Sequence, residues 1–288
     1  MSRNSTEQRG NIMECARTMN ILVTLNSGYI PPLKVMLASL LRHNQGWRVN
    51  VYVLHHSLTE ADILAVQAVL GQRGLAESIW VEDDLLRDAP VTDRYPREMY
   101  YRIFAARYLP EHLERVLYLD PDLVVNGSLD ELYQLDLGDY YFAAASHVKG
   151  SMQKINEVRL EMEEPGPYIN SGVMLMNLAL LRREQDYAAV FRYIESHRKV
   201  LFLPDQDLIS GLYSGRILAI DPYRYNMTER LFVLRPESDA WLDLEWVQEN
   251  AVIIHYCGRN KPWREPYLGK LDIFFKEAQQ FLNQGQEA

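Results

Sequence analysis

Two carboxylates stand where an apolar run of the chain stops. The run 116–119 leads directly into Asp120, Pro121 and Asp122, and apolar runs of this kind are typical of buried strands. Proline cannot donate to a sheet ladder, so the strand should end there. Two acids one residue apart repel each other unless solvent or a cation separates them, and hard cations take oxygen ligands. The pattern favours a metal site, although Asp and Pro also form ordinary turns.

A second apolar run, 252–254, stops at His255, and Lys261 follows. A lone histidine after a strand is more often structural, and a lone lysine is usually solvated. Together with Asp120 and Asp122, however, His255 completes a ligand set that suits Mn²⁺, with Mg²⁺ close behind and zinc disfavoured. Such an ion neutralises charge on a leaving phosphate, and Lys261 would add a point charge. The expected ligand is therefore a diphosphate.

Asp205 and Gln206 offer a third group of polar side chains, at the start of a short helix that runs to Tyr213. Acids in a first helical turn usually serve as caps and as partners of the helix dipole. For one site to form, the stretches that carry Asp120 and His255 must meet at the same edge of one sheet, where α/β proteins bind ligands.

The elements that would position these groups alternate between strand and helix. Strand 20–25, a helix entered through Pro31 and Pro32, and strand 49–54 form a right-handed βαβ unit of a parallel sheet. A further helix and strand 78–81 follow. Neither a G-x-G-x-x-G pattern nor a Walker A loop is present, so a Rossmann dinucleotide site or a P-loop is not expected.

The later elements are less regular. Arg102, within a predicted helix 97–108, reads by itself as a surface arginine. Ser128 and Glu131 predict a capping box. Region 147–167 is polar and without a clear period, which predicts a loop or lid. The remaining elements are predicted as strand 141–145, strand 168–177, helix 178–198 and an amphipathic tail 271–282 that packs on the body.

The bulk composition narrows the class of protein. The chain has 288 residues, 48% of them apolar, and a formal net charge of −9, which argues against nucleic acid as the main partner. Two cysteines, Cys15 and Cys257, are too few for a disulfide framework, so we expect a cytoplasmic protein, free or peripheral to the inner face of the membrane. We find neither a transmembrane run nor a signal peptide, and we expect residues 1–18 to be disordered.

Six stretches, in the right order, resemble glycosyltransferase family 8, the retaining GT-A group that includes bacterial lipopolysaccharide galactosyl- and glucosyltransferases and glycogenin. The most specific are LYLDPDLVV, the D-x-D strand, and HYCGRNKPW, which matches H-x-x-G-x-x-K-P-W. Weaker matches are VTLNSGYIPPLKVMLASLL, the Y-x-R that ends at Arg102, NSGVMLMN and LPDQDLI. The resemblance implies an α/β GT-A fold with a mostly parallel central sheet flanked by helices. The expected domains are a catalytic domain over 19–265 and a helical tail over 266–288.

The resemblance also implies a role for each matching residue. Asp120, Asp122 and His255 would hold Mn²⁺ or Mg²⁺. Gln206, near the reacting carbon, and Asp205 would be catalytic. The UDP-sugar donor would be bound by Thr24, Asn26, Gly28, Tyr29, Arg102, Asp120, Asp122, Asn170, Ser171, Gly258 and Lys261. The reaction would move galactose or glucose, with retention, to a hydroxyl of a saccharide or lipid-linked saccharide acceptor, as in cell-envelope polysaccharide or lipopolysaccharide synthesis.

The chain departs from the family pattern at three positions. Asn26 stands where relatives commonly have Asp, Gly28 where Asn is frequent, and His147 where many have an acid. The alternative function is a haloacid-dehalogenase-like phosphatase that uses Mg²⁺ and has Asp120 as its nucleophile. That motif normally opens its fold, whereas a complete βαβ unit precedes it in this chain.

Overall fold

The computed structural model describes residues 17–82, 97–148, 150–234 and 241–287. Within these ranges the strands, in chain order, are β1 (Arg17–Thr24), β2 (Trp47–His55), β3 (Gly74–Trp80), β4 (Arg115–Leu119), β5 (Leu123–Val125), β6 (Phe142–Ala145), β7 (Val173–Asn177), β8 (Ile217–Ile220) and β9 (Ile253–His255). The large sheet has the order β3-β2-β1-β4-β7-β6-β8. Of its strands β7 runs against the others, so the predicted mostly parallel sheet is confirmed.

Helices flank this sheet. In the described residues they are α1 (Ile30–His43), α2 (Glu60–Leu70), α3 (Glu98–Tyr101), α4 (Ala105–Tyr108), α5 (Asp130–Tyr133), α6 (Ser151–Arg159), α7 (Leu178–Glu184), α8 (Tyr187–His197), α9 (Pro204–Leu212), α10 (Pro222–Tyr225), α11 (Glu229–Val233), α12 (Leu244–Asn250) and α13 (Asp272–Glu287). The predicted helix 97–108 is interrupted by a 3-10 turn between α3 and α4, and the predicted helix 178–198 is divided into α7 and α8.

The strand order reverses between β1 and β4. The chain adds β2 and β3 on one side of β1 and then places β4 on its other side. Both pairings of β1 are parallel, so Thr24 at the end of β1 and Leu119 at the end of β4 lie at the same edge of the sheet. Open α/β sheets bind their ligands at such a reversal, outside the carboxyl ends of the strands.

Alternating side chains divide the core between the two faces of the sheet. On β1, Ile21 and Val23 join the apolar cluster on one face and Leu22 joins the cluster on the other. On β4, Leu119 faces the first cluster and Tyr118 the second. Since side chains in a strand alternate with period two, Asp120 continues on the side of Tyr118.

The strand that carries His255 belongs to a separate small sheet. In the described residues β9 pairs antiparallel with β5, and Leu123 lies opposite His255. The prediction that both ligand-bearing stretches end at one edge of one sheet is therefore wrong. Pro121 ends the ladder of β4, the chain leaves the large sheet, and Asp122 then leads into β5. The pairing of β5 with β9 nevertheless places His255 beside Asp120 and Asp122.

Two local predictions fail for identifiable reasons. Region 147–167 is not all loop, because it contains α6, whose apolar residues Met152, Ile155 and Val158 are exposed while Asn156 faces inward. The apolar residues of this helix face solvent, so no apolar stripe facing the core marks it. The predicted capping box is also wrong, because α5 begins at Asp130. Its N-cap is Leu129, without a side-chain bond, and Ser128 Oγ accepts from the Asp130 amide at 3.2 Å instead.

The C-terminal helix α13 packs on the body, as predicted for the tail. Phe274 and Phe275 are buried in a cluster with Val35 of α1 and Ile254 of β9. The domain limits 1–18, 19–265 and 266–288 stay predictions; residues 1–16 lie outside the described residues, and the next two belong to β1. In the described part of the chain, no helix combines the length and the apolar composition needed to cross a bilayer.

Candidate active site

Asp120 and Asp122 lie between two sheets, at the reversal of strand order. Asp120 follows β4 and donates its amide to the Gly172 carbonyl at 2.8 Å, next to β7. Asp122 precedes β5, and its carbonyl accepts from the Tyr256 amide at 2.9 Å, just beyond β9. Backbone contacts thus fix each acid to a different neighbouring strand. Both carboxylates turn towards the same space.

His255 completes the group. Its Nε2 lies 3.2 Å from Asp122 Oδ1 and 3.6 Å from Asp120 Oδ2. One ligand atom from each of the three side chains can be chosen so that all lie within 4.8 Å of one another. The three residues that the sequence predicts as metal ligands therefore converge, although they come from stretches more than a hundred residues apart.

Lys261 occupies the far side of Asp122. Its buried ammonium donates to Asp122 Oδ2 and, at 2.9 Å, to the Tyr256 carbonyl. Burial raises the pKa of Asp122, but the ammonium of Lys261 opposes burial, and the net shift holds that pKa well below its ordinary value. Burial lowers the pKa of Lys261, and Asp122 outweighs it, so the net shift of that pKa is upward. Both groups remain charged.

Asp120 has a different set of partners. The hydroxyl of Tyr118 donates to Asp120 Oδ1 at 2.6 Å, and Thr24 Oγ1 lies 3.2 Å from the same hydroxyl. Tyr118 is fully buried, and its pKa lies well above the ordinary value because burial disfavours the phenolate. Tyr118 therefore acts as a neutral donor that joins the end of β1 to the first carboxylate.

Arg102 is buried rather than exposed, so its interpretation as a surface arginine is wrong. Its guanidinium lies 3.1 Å from Asp120 Oδ1 and 3.1 Å from Asp205 Oδ2, and it donates to the Ser171 carbonyl at 3.0 Å. The same group stacks over the Tyr118 ring at 4.2 Å. Burial lowers the pKa of Arg102, but the neighbouring carboxylates outweigh it and the pKa is raised. Two buried carboxylates thus explain a buried arginine.

Asp205 and Gln206 stand in the first turn of α9. Asp205 accepts from Ser171 Oγ at 2.8 Å, and burial raises its pKa despite the nearby Arg102. Gln206 Oε1 lies 3.5 Å from Asn170 Nδ2. The structure therefore brings Ser171, Asn170 and the start of α9 together beside Arg102. This joins the third group of polar side chains to Asp120.

Of the residues predicted to hold the nucleotide, Thr24 is buried, whereas Asn26, Gly28, Tyr29 and Gly258 form a more exposed part of the site. Asn26 Oδ1 accepts from the Gly28 amide at 3.1 Å, which caps a 3-10 turn that ends at Tyr29. The ring of Tyr29 meets Trp263 edge-on at 6.4 Å. Gly258 has φ +93°, a conformation that favours glycine, and open space surrounds its Cβ position. The loops that carry Tyr29 and Trp263 therefore lie side by side, although they are far apart in the chain.

The donor set fits a hard divalent ion. His255 Nε2 is buried and, among the described residues, has no hydrogen-bond partner, although it faces two carboxylates. A Cβ at Gly172 would lie 2.2 Å from His255 Cε1 and 2.7 Å from Asp120 Oδ2, so glycine permits this close approach. Carboxylate oxygens with one imidazole nitrogen suit Mn²⁺ or Mg²⁺.

Two residues that support these side chains were not predicted from the sequence. Tyr118 read as part of an apolar strand, although its spacing of two from Asp120 places both on one side of that strand. Asn226 gave no signal, because a buried asparagine in a loop looks like any polar loop residue. It is fully buried, and its Oδ1 lies 3.0 Å from His255 Nδ1.

The architecture is that of a GT-A glycosyltransferase. A crystal structure of galactosyltransferase LgtC in complex with donor and acceptor sugar analogues matches it with a TM-score of 0.76. The match covers 91% of this chain and 95% of that chain at 23% identity, and it shows the fold alone. The pattern described as Glycosyl transferase family 8 matches residues 20–266. The chain belongs to this family, as its resemblance predicts, and is a retaining glycosyltransferase.

Curated relatives agree with the family. A lipopolysaccharide 1,2-glucosyltransferase of Escherichia coli is 28% identical over 253 residues, which cover 86% of this chain and 74% of the relative. General stress protein A of Bacillus subtilis is 25% identical over 260 residues, covering 86% and 90%. Family membership over 20–266 decides against the phosphatase alternative, because it accounts for the stretch around His255 as well as for Asp120.

Proposed function

We propose that the protein transfers a hexose from a UDP-sugar to an acceptor hydroxyl and that the transfer depends on Mn²⁺ or Mg²⁺. One observation carries the proposal: Asp120, Asp122 and His255 converge within 4.8 Å at the reversal of strand order. Lys261 and the Tyr29 loop border the same space. A diphosphate between a sugar and a nucleoside suits such an arrangement of oxygen ligands and cations.

The residues divide into groups according to the part of the ion–donor complex that each would bind. Asp120, Asp122 and His255 would hold the ion, which when bound neutralises charge on the leaving diphosphate. Lys261 and the Gly258 backbone would contact the phosphates. The remaining assignments, which follow the family pattern, place Thr24, Asn26, Gly28 and Tyr29 at the uridine, and Arg102, Asn170, Ser171, Asp205 and Gln206 at the transferred sugar.

Retention follows from displacement on one face of the sugar. The bond between the anomeric carbon and the β-phosphate oxygen breaks, and its electron pair leaves with UDP. The acceptor oxygen bonds to the same face of that carbon, and its proton passes to the departing phosphate oxygen. The amide of Gln206 is no competent base, so we assign it to stabilise positive charge at the carbon. Asp205, held by Arg102 and Ser171, orients the sugar.

The acceptor we propose is a saccharide or lipid-linked saccharide of the cell envelope. Support comes from the E. coli relative, which is a lipopolysaccharide glucosyltransferase. Glucose and galactose are the proposed hexoses. A location in the cytoplasm or at the inner face of the membrane stays a prediction.

Calorimetry and a donor screen test the proposal. We expect UDP to bind with Mn²⁺ present and GDP, the matched nucleotide control, to bind weakly. UDP-glucose, UDP-galactose and UDP-N-acetylglucosamine are then incubated with Mn²⁺, and released UDP is measured. We expect release from one of the two hexoses, and none from His255→Ala. Absence of UDP binding both with and without Mn²⁺ would reject the proposed function.

A further inference from the structure

The imidazole of His255 makes one well-defined hydrogen bond. Its Nδ1 lies 3.0 Å from Asn226 Oδ1, while its Nε2 faces Asp120 and Asp122. A neutral imidazole carries its proton on one nitrogen, and only the other nitrogen can ligate a metal. The position of that proton therefore decides whether Nε2 is ready as a ligand.

The orientation of the Asn226 amide follows from a backbone donor. The Gly172 amide can only donate, so the atom of Asn170 that lies 3.1 Å from it is Oδ1. The same Oδ1 lies 3.0 Å from the Asn226 amide group, which must therefore present its nitrogen there. The other atom of that amide, which faces His255, is then the oxygen. This chain of donors and acceptors removes the usual ambiguity of an amide flip.

We infer that Asn226 is a positioning residue that keeps the proton of His255 on Nδ1 and leaves Nε2 bare towards the two carboxylates. The inference rests on the proposed metal site, but it assigns a role to a residue that is not itself a ligand. An oxygen that can only accept requires a proton on the nitrogen it faces. Asn226 thereby fixes both the tautomer and the angle of the ring.

The surroundings of Asn226 hold its side chain in place. Its amide nitrogen is used by Asn170, and its backbone carbonyl lies 2.8 Å from His147 Nε2. The next residue, Met227, bridges to β9 through bonds to Ile253 and His255. Asn226 is fully buried, so water does not compete for its oxygen. Backbone hydrogen bonds therefore join the segment that carries Asn226 to the strand that carries His255.

The test compares two variants of Asn226 with a matched buried asparagine. Asn226→Leu removes the acceptor, whereas Asn226→Asp keeps an oxygen towards Nδ1. Asn44→Leu is the control, because Asn44 is also buried and joins two segments through Leu40 and Leu129. It lies outside the proposed site. Nitrogen-15 NMR of labelled histidine, at a pH where the ring holds one proton, locates the proton in metal-free protein. Electron paramagnetic resonance measures Mn²⁺ affinity without any nucleotide.

We expect the proton on Nδ1 in the wild type and in Asn226→Asp. In Asn226→Leu we expect a mixture of tautomers and a Mn²⁺ affinity about 10- to 100-fold weaker, the usual effect of losing such a supporting bond. Asn44→Leu should leave both the tautomer of His255 and the affinity for Mn²⁺ unchanged. A wild-type ring protonated on Nε2 alone would overturn the inference, even if no Asn226 variant folds. Equal losses of affinity in Asn226→Leu and Asn226→Asp would also overturn it, by assigning the effect to packing.

This experiment separates the inference from the proposed function. The location of the proton needs neither metal nor sugar nucleotide. A wild-type protein that binds no Mn²⁺ and no UDP would end the proposed function, whereas normal Mn²⁺ binding with an unchanged tautomer in Asn226→Leu would end the role of Asn226 alone.

Discussion

Asp120 and Asp122 are one residue apart, yet they belong to two different neighbourhoods. Asp120 sits with Tyr118 and Arg102, at the end of the large sheet. Asp122 sits with Lys261 and His255, beside the small sheet of β5 and β9. Its side chain is 10% exposed, against 21% for Asp120. The first carboxylate is oriented mainly by a neutral hydroxyl and a shared arginine, and the second is balanced by one buried cation. Substitutions that remove Asp122 or its cation should therefore lower stability and metal binding more than substitutions around Asp120.

The largest effect is expected for Asp122→Asn. The amide removes a proposed metal ligand and leaves Lys261 buried without its counter-charge, and breaking a buried ion pair costs about 3–5 kcal/mol. We expect transfer activity to be lost and the free energy of unfolding to fall by about 3 kcal/mol while the protein still folds. Activity assays and urea unfolding measure both.

The half-exposed acid Asp130, paired with Arg17 at the surface, provides the control. Asp130→Asn should leave activity unchanged, since exposed pairs contribute little. Full activity of Asp122→Asn would break the comparison and remove Asp122 from the metal site.

Lys261→Met is expected to have the next largest effect, and a different one. It leaves Asp122 buried with a full charge, so the metal-free variant should lose about 3 kcal/mol of stability. A divalent ion can replace the missing positive charge. Thermal unfolding should therefore show a larger rise in Tm on adding Mn²⁺ in the variant than in the wild type. In Asp122→Asn that rise should vanish.

Lys276→Met is the matched control, because this exposed lysine pairs with Asp272 on α13. Its response to Mn²⁺ should equal that of the wild type. If Lys261→Met also responds like the wild type, the ammonium of Lys261 does not neutralise Asp122 in the way we describe.

Tyr118→Phe probes the other carboxylate and should have a smaller effect. It removes the donor to Asp120 and the contact with Thr24, but it leaves the arginine in place. Loss of a supporting bond of this type costs about tenfold in metal affinity at the lower end of the usual range. Mn²⁺ titration measures this.

Tyr133→Phe is the control, since its hydroxyl accepts from the Asn20 amide at 3.0 Å, away from the site. It should leave the affinity for Mn²⁺ unchanged. A loss in Tyr118→Phe as large as that in Asp122→Asn would erase the difference between the two neighbourhoods.

The smallest effect concerns His147, which stands behind His255 and Asn226. Burial lowers the pKa of His147 to about 4, whereas an unfolded histidine titrates near 6.5. Between these values the unfolded chain binds a proton that the folded protein excludes. The free energy of unfolding should therefore fall as the pH drops from about 6.5 towards 4.

His147→Gln should flatten that part of the stability curve by about 1 kcal/mol or more, as measured by urea unfolding at several pH values. Identical slopes in the variant and the wild type would show that His147 already accepts a proton in the folded state.

The sequence predicted the part of the site that periodicity and strand ends can reveal. Asp120, Asp122 and His255 each follow an apolar run, and strand ends are where ligands sit. Contacts between stretches far apart in the chain could not be predicted from periodicity. The burial of Arg102 depends on two carboxylates that arrive from β4 and α9, and the role of Asn226 depends on how a loop lies against β9. In α6 the inward residue is polar, so the rule that apolar residues face the core failed there.

The pairing of β5 with β9 has a consequence for the order in which the protein matures during synthesis. Leu123 and His255 are partners across more than 130 residues, so this contact closes late. At about 5–20 residues per second, roughly 7–28 seconds pass between the emergence of Asp122 and that of Lys261, 139 residues later. During that interval the nascent chain displays Asp120 and Asp122 without the lysine and histidine that later face them. The proposed metal site is therefore complete only after β9 has paired with β5.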